Sequence, residues 1–151
     1  MRLLSTTREA CRRYTWAMHG CQIGGRFSRC ANPAIQACQY CGRHFCLAHA
    51  YYVEGHEAVC GRKNCRAKRD DMVVHSAYRR IVETRNRAGL CGIEECGPHP
   101  AHECSLCHGH FCPGHISQRG YPFYDGYARV ERMVSVCPRC WERRKIWRHV
   151  R

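Results

Sequence analysis

One pattern of cysteine and histidine residues occurs twice in this chain, with the same internal spacing in both copies. In each copy a Cys-x-x-Cys pair is followed by Phe-Cys-x-x-His. The first copy is CQYCGRHFCLAH at residues 38–49, and the second is CSLCHGHFCPGH at residues 104–115, so each member recurs 66 positions later. Self-similarity at a fixed offset indicates a repeated structural unit. Cysteine pairs with a nearby histidine at this spacing are typical of structural zinc sites, where thiolates and imidazoles surround the ion tetrahedrally.

The cysteine content could also indicate a disulfide framework, since cysteine accounts for 15 of the 151 residues. A secreted disulfide protein would need a signal peptide, and the N-terminal sequence MRLLSTTREACRRYTW has no apolar core of the required length. No segment is long enough to cross a bilayer, so we expect no membrane partner. We therefore expect a reducing, cytoplasmic location, where Cys-x-x-Cys pairs with nearby histidine usually indicate metal.

Each half of the chain is close to the size at which a hydrophobic core is too small to hold a fold. A structural zinc ion supplies the missing stability, on the order of 10 kcal/mol in isolated finger peptides. Removal of the metal is therefore expected to unfold the protein. The formal net charge of +13 falls to about +7 once four zinc ions and their ionised thiolates are counted.

Taken as successive pairs, the cysteines and histidines supply enough ligands for two tetrahedral zinc ions in each unit. Only four residues separate Cys41 from Cys46, so neighbouring pairs cannot easily close sites in sequential order. We expect a cross-brace, in which pairs one and three share one ion and pairs two and four share the other. The first unit then has the sites Cys21, Cys30, Cys46 and His49, and Cys38, Cys41, Cys60 and Cys65. The second unit has the sites Cys91, Cys96, Cys112 and His115, and Cys104, Cys107, Cys137 and Cys140.

The outer pairs are less regular than the repeated inner pairs. The gap from Cys21 to Cys30 is wide, and His56 is an alternative to Cys65 as the partner of Cys60. Three zinc ions per chain are therefore an alternative to four. Cys11 is left over. Every proposed site is filled by protein ligands, so no position remains open for water, and we assign no catalytic residue.

The sequence predicts five segments. They are a basic N-terminal segment at residues 1–20, a zinc-binding unit at 21–65, a basic linker helix at 66–90, a second zinc-binding unit at 91–141 and a basic tail at 142–151. The linker helix is predicted from the helical spacing of Val74, Tyr78, Ile81, Val82 and Arg85, with Gly89 as its stop. The fold class is a small zinc-stabilised α+β protein, with two tandem cross-brace units joined by a helix.

Two short β features are predicted inside the units. In AYYVEGHEAV, Glu54-Gly55 is placed to turn a hairpin. In the second unit, VERMVSV alternates well enough to be a strand that enters the CPRC knuckle at residues 137–140. The tail WERRKIWRHVR is predicted to be helical.

At the inner pattern of residues 38–49 and 104–115, the chain resembles the AN1-type zinc finger. This resemblance implies a cross-brace with two zinc ions and a role as an adaptor in the ubiquitin and proteasome system. The chain departs from the family in its first pairs, Cys21/Cys30 and Cys91/Cys96, where AN1 fingers have Cys-x-x-Cys. It departs again in its last pairs, where they have His-x-Cys.

The second unit is also similar to a RING finger at its two ends. The closing pair CPRC matches the RING closing knuckle, and Ile93 stands near the apolar residue that RING fingers press against a ubiquitin-conjugating enzyme (E2). The resemblance implies a partner-binding surface at Ile23, Ile93, Pro138 and Arg143. Ile23 and Ile93 could equally pack in the core beside the metal.

We therefore expect a protein that works by binding, with an E2 or a ubiquitin-like protein as its partner. If it is an enzyme, it is a RING-type ubiquitin ligase, which has no nucleophile and acts by positioning the charged E2. The alternative is a DNA- or RNA-binding protein that uses the basic linker and tail, with Tyr121, Phe123 and Tyr124 available to stack on bases.

Overall fold

The computed structural model describes residues 19–25 and 30–147, and the chain divides into two compact units between Asp70 and Asp71. Each unit is described by itself. Residues 1–18 of the predicted N-terminal segment, with Cys11, lie outside the described residues, as do residues 148–151 of the predicted tail. A zinc-stabilised α+β fold fits the small sheets, the two helices and the cysteine and histidine clusters of the described residues.

The first unit consists of two antiparallel strand pairs and the beginning of a helix. Strands β1 (Gln36–Ala37) and β2 (His44–Phe45) flank a tight turn that carries the Cys-x-x-Cys pair. A 3-10 turn at Leu47–His49 leads into the hairpin of β3 (Ala50–Glu54) and β4 (Glu57–Cys60). Helix α1 (Lys63–Arg87) follows, and its residues 63–70 belong to this unit.

The second unit repeats this order. It contains the remainder of α1, the short strands β5 (His102–Glu103) and β6 (His110–Phe111), and a 3-10 turn at Pro113–His115. The hairpin of β7 (Ser117–Tyr124) and β8 (Arg129–Val136) is longer than its counterpart, and it pairs in register from Ser117↔Val136 to Tyr124↔Arg129. Helix α2 (Pro138–Trp147) completes the unit.

The two Cys-x-x-Cys turns have the same backbone hydrogen bonds. The amide of Cys38 donates to the carbonyl of Arg43 (2.9 Å), and the amide of Cys104 donates to that of Gly109 (2.8 Å). The residue after the second cysteine of each pair, Gly42 in one turn and His108 in the other, adopts a left-handed conformation. The sequence repeat therefore corresponds to a repeat of the backbone.

Each core is small and consists largely of the clustered cysteines. Phe45 is fully buried in the first unit, and Phe111 is fully buried in the second. Val59 from β4 and Val136 from β8 are the other large side chains without exposed surface in the described part of the chain. Because so few apolar side chains are buried, burial alone supplies little stability to either unit.

The elements differ from their predicted bounds by a few residues. Helix α1 begins at Lys63 and ends at Arg87, where the sequence predicted 66–90. Its end is set by Gly89, whose φ is +73°, and by the bond from the Leu90 amide to the Arg85 carbonyl (3.0 Å). This left-handed glycine after the last turn is a common helix stop. The turn of the first hairpin lies at residues 55–56, between β3 and β4.

The VERMVSV strand is present as part of β8, and the described part of the tail is helical as predicted. None of the described helices is long and apolar enough to span a bilayer.

Candidate metal centres

Within residues 19–25 and 30–147, four groups of cysteine and histidine side chains lie close enough to hold metal ions. In each group the four possible ligand atoms are all within 4.8 Å of one another. The groups of the first unit are Cys21, Cys30, Cys46 and His49, and Cys38, Cys41, Cys60 and Cys65. The groups of the second unit are Cys91, Cys96, Cys112 and His115, and Cys104, Cys107, Cys137 and Cys140. Each unit thus has one cysteine–histidine group and one four-cysteine group. These groups are consistent with about four zinc ions per chain, the number that the sequence predicted.

The pairs alternate between the groups, because the strands bring distant segments together. In the first unit the four-cysteine group combines the turn between β1 and β2 with Cys60 at the end of β4 and Cys65 in the first turn of α1. The cysteine–histidine group combines the segment before β1 with the 3-10 turn that holds His49. His56 lies in the exposed turn of the hairpin and belongs to neither group.

The distances within the groups suit a tetrahedral ion. With a zinc–sulfur bond of about 2.3 Å, the sulfur atoms of a tetrahedral site lie about 3.8 Å apart. The Sγ atoms of Cys30 and Cys46 are 3.7 Å apart, and those of Cys41 and Cys60 are 3.8 Å apart. In the second unit the corresponding distances are 3.7 Å for Cys96 to Cys112 and 3.9 Å for Cys107 to Cys137.

Both histidines offer the same ring nitrogen to their groups. The Nδ1 atom of His49 lies 3.4 Å from the Sγ atoms of Cys21 and of Cys46. The Nδ1 atom of His115 lies 3.6 Å from the Sγ atom of Cys91 and 3.3 Å from that of Cys112. A zinc–nitrogen bond is shorter than a zinc–sulfur bond, so these shorter separations also fit a tetrahedral site.

Backbone amides favour, for some of the cysteines, the thiolate form that a metal requires. Burial raises the pKa of Cys38, but amide donors from Cys60, Tyr40 and Cys41 outweigh burial and lower the pKa to about 7. In the second unit the amide of Cys112 donates to the Sγ atom of Cys91 (3.3 Å). Burial raises the pKa of Cys91, but this donor and the Ile93 amide lower it to about 7. Hydrogen bonds to the charged form stabilise a thiolate.

The four groups differ in exposure. All four cysteines of the group formed by Cys104, Cys107, Cys137 and Cys140 are buried. In both cysteine–histidine groups, one cysteine and the histidine are half-buried. Chelators and oxidants therefore reach the cysteine–histidine groups more easily than the four-cysteine group of the second unit.

Helix α1 supports the second unit through side chains whose roles the sequence pattern did not indicate. The Tyr78 hydroxyl donates to the Sγ atom of Cys137 (3.5 Å). The Arg85 guanidinium donates to the carbonyls of Cys91 (2.7 Å) and Cys96 (2.6 Å). The helical spacing placed Tyr78 and Arg85 on one face, but nothing in the sequence indicated which residues that face contacts. The two Arg85 bonds fix the ligand-bearing segment before β5, and the Tyr78 bond reaches the cysteine that follows β8.

The residues predicted to bind a partner occupy different environments. Ile23 is buried in the core of the first unit, so its side chain offers little contact surface. Ile93 is half-buried and packs against the core of the second unit, and Pro138 is exposed at the start of α2. The Arg143 guanidinium is bonded to the Asp71 carboxylate (2.7 Å) inside the second unit.

A groove of about 650 Å³ lies between α1 and the Cys-x-x-Cys turn of the second unit. Its lining includes Arg79, Arg80 and Arg87 from the helix, and His108 and His110 from the turn. The groove is open, and the metal ligand Cys107 forms part of its wall. No protein-family model, curated protein or solved structure matches this chain.

Proposed function

We propose that this protein is a zinc-scaffolded binding protein of the ubiquitin or ubiquitin-like system. In this proposal two cross-brace units, AN1-like or RING-like and joined in tandem by α1, present a surface that recruits an E2 or a ubiquitin-like protein. The observation that carries the binding role is the composition of the four groups, each of which already has four protein ligands. A tetrahedral zinc ion with four protein ligands has no position for water or substrate, so its role is structural.

The resemblance of the second unit to RING fingers supports the choice of partner. Pro138, inside the closing CPRC pair, is exposed, and Ile93, between the first two ligands, is half-buried. Small apolar contacts of this kind can hold a charged E2 in the geometry that favours attack on its thioester, which lowers the barrier by positioning alone. Ile23 contributes to the core of the first unit, so the proposal places the contact in the second unit.

The test is ubiquitin discharge from a panel of E2 thioesters in the presence of the zinc-loaded full chain. Faster discharge from at least one E2 is expected, and Ile93→Ala and Pro138→Ala are expected to remove the acceleration without changing the zinc content. Met133→Ala is the matched control, because Met133 is 70% exposed on β8 and lies outside the ligand loops. If no E2 in the panel binds or is discharged, the ligase form of the proposal is wrong.

Nucleic-acid binding is a second candidate, and the charge of the groove favours it. The side chains of Arg79 and Arg80 line the groove and make no hydrogen bond or ion pair with other described residues. Several other arginines of the basic linker and tail are already engaged. Arg69 is paired with Glu57, Arg143 is paired with Asp71, and Arg85 is bonded to two carbonyls. Fewer arginines are therefore available to phosphate than the composition suggests, and we place this candidate second.

Capture of the tagged, zinc-loaded chain from its host lysate, with and without nuclease, separates the two candidates. A nuclease-resistant E2, ubiquitin-like protein or proteasome component would support the first. Recovery that collapses with nuclease would support the second, and the affinity for nucleic acid should then fall steeply with salt.

A further inference from the structure

An apolar stripe runs along the exposed side of α1 within the second unit. It consists of Val74, Ala77 and Ile81, and the same spacing of three and four residues continues to Thr84 and to Ala88, which follows the last residue of the helix. Val74 is 53% exposed and Ile81 is 38% exposed, while Val73 beside them is 52% exposed. Such spacing is the seam that one helix presents to another helix. The small side chain of Ala77 would allow a second helix to approach closely.

The stripe is distinct from the face of α1 that packs into its own unit. Asp71, His75 and Val82 are buried on a different face of the helix, about a third of a turn around its axis from the stripe. The exposed apolar residues therefore do not contribute to the core of the unit. A contiguous apolar stripe on a soluble helix usually marks an interaction surface.

One edge of the stripe is positively charged. Arg80 and Arg87 are both exposed and stand seven residues apart, so they flank the same side of the stripe. The acidic residue that the described part of the chain places near this edge is Glu83, which is paired with Arg87 (2.5 Å). Both side chains of this pair are exposed, so the pair is weak and Arg87 remains accessible to a carboxylate of a ligand. A helix that lay on the stripe would place its own flanking residues near these arginines, and glutamate or aspartate would match their charge.

The same charges disfavour a second copy of this chain as the occupant. In an antiparallel pair of α1 helices, Arg80 and Arg87 of one copy would face Arg87 and Arg80 of the other. In a parallel pair, Arg80 would face Arg85. Both arrangements bring like charges together, which is unfavourable across an interface.

We infer that this stripe docks an amphipathic helix of another protein, with acidic residues flanking its apolar face. The apolar residues of the ligand would pack on Val74, Ala77 and Ile81, and its carboxylates would reach Arg80 and Arg87 at the edge of the groove. The inference does not depend on the E2 proposal, because that contact uses Ile93 and Pro138.

The probe is a synthetic helical peptide of three heptads. Each heptad has leucine at its two apolar positions and glutamate at the positions that flank them. The matched peptide has lysine in place of glutamate. Binding to the zinc-loaded full chain is measured by fluorescence anisotropy. The glutamate peptide is expected to bind, and the lysine peptide is expected to bind at least about tenfold more weakly.

Variants test where the peptide binds. Val74→Glu and Ile81→Glu keep good helix formers on an exposed face, and each should weaken binding at least about tenfold. Met133→Glu places the same charge on an exposed apolar residue of β8 and should leave binding unchanged. The double variant Arg80→Glu, Arg87→Glu reverses the charge at both positions and should bind the lysine peptide more tightly than the glutamate peptide. Zinc content and circular dichroism confirm that each variant is folded.

Several outcomes would overturn the inference. One is failure of the glutamate peptide to bind, and another is equal binding of both peptides. Binding that survives Val74→Glu would place the peptide elsewhere. If analytical ultracentrifugation shows a dimer of the natural chain and a monomer of the Val74→Glu variant, the stripe binds a second copy of this chain. An oligonucleotide that binds through Arg80 and is unaffected by Val74→Glu would make the edge a phosphate-binding surface.

Discussion

Val82 packs against two glycines whose missing side chains make room for it. A Cβ atom built on Gly109 would lie 2.5 Å from the Val82 Cγ1 atom, and one built on Gly92 would lie 2.9 Å from the same atom. Both glycines also lie against the ring of Phe111. The closeness of α1 to the ligand-bearing turns of the second unit is therefore set by the absence of two methyl groups.

We predict that Gly109→Ala destabilises the second unit by roughly 1–3 kcal/mol, because an added methyl overpacks a filled core. The free energy of unfolding measured in urea with zinc present tests this. Gly97→Ala is the control, since a Cβ there meets no atom within 4 Å. Adding Val82→Ala to Gly109→Ala should cost less than the sum of the two single changes. Strict additivity of the two changes would contradict the packing explanation.

His75 is buried and its Nδ1 atom has no hydrogen-bond partner among the described residues. Burial, together with the positive charge of nearby Arg143, lowers its pKa from 6.5 to about 4. Asp71 opposes this shift, and Arg139 and Arg79 add to it. The folded protein therefore keeps this imidazole neutral at pH values where the unfolded chain binds a proton.

Stability should fall as the pH decreases from about 6.5 to about 4, because the unfolded state binds more protons than the folded state across this range. At about pH 5 the contribution lost is about 2 kcal/mol. The measurement is the free energy of unfolding against pH for the natural chain and for His75→Leu. Protonation of the zinc ligands affects both proteins, so the difference between the two curves isolates His75. Parallel curves would show that His75 titrates normally.

Some features at the residue scale could be predicted from the sequence, and others could not. The 66-residue offset was sufficient to identify the inner ligands, because ligand spacing is a local property of the chain. Ile23 had two interpretations, and its burial in the first core agrees with the packing interpretation. Nothing local indicated that Gly109 lies against Val82, because that contact depends on the path of the whole helix.

At the scale of elements, α1 and α2 are held together within the second unit by one buried carboxylate. The Asp71 side chain is 1% exposed and accepts bonds from Arg139 (3.0 Å), Arg143 (2.7 Å) and the indole of Trp147 (2.7 Å). These partners lie 68 to 76 residues away in the sequence. A separation of that size explains why the sequence predicted both helices but not their contact.

Asp71→Asn should destabilise the second unit by about 3 kcal/mol, because it leaves two partly buried guanidinium groups without their counter-charge. Asp70→Asn is the matched control, since Asp70 is exposed and accepts one bond from the Tyr51 hydroxyl (2.6 Å). Chemical denaturation with zinc present measures both. If the two variants lose equal stability, the buried cluster does not hold the helices.

The two metal-binding turns show how one backbone accommodates different residues. Gly42 has a φ of +68° and its counterpart His108 has a φ of +60°. Glycine adopts this conformation easily, whereas a histidine there is strained. His108 also bonds through Nδ1 to Glu103 (2.7 Å). The equivalence of these turns was predictable from the cysteine spacing, but the shared left-handed residue was not, because only one copy has glycine.

At the scale of the whole molecule, the metal groups take the place of a hydrophobic core. Among the residues that the structure describes, the fully buried large side chains of each unit are one phenylalanine and one valine, and the other buried residues are mainly cysteines of the candidate metal groups. Without an ion the buried cysteines would bind protons and not remain as adjacent thiolates, so the metal–sulfur bonds that connect the segments of each unit would be lost. We therefore expect zinc binding and folding to be one coupled equilibrium.

Cys41→Ser and Cys107→Ser test this coupling in the separate units. Each change removes one of the four ligands from a four-cysteine group. Cys107→Ser should release zinc from the second unit and expose the amides of β7, β8 and α2 to hydrogen exchange, while the first unit keeps its zinc and its protection. Cys41→Ser should have the opposite pattern, because the two groups of each unit draw on the same short segments. Native mass spectrometry and hydrogen exchange provide the measurements.

Ser105→Ala is the control for Cys107→Ser, because Ser105 is exposed in the same turn and contributes no ligand. It should keep the full zinc content. Graded chelation of the natural chain should remove zinc first from the groups with half-buried ligands and last from the fully buried group of Cys104, Cys107, Cys137 and Cys140. Retention of all zinc and of amide protection after Cys107→Ser would show that this group is not a metal site. Something other than metal binding by its cysteines would then have to stabilise the second unit. Its few buried apolar side chains are not sufficient for this.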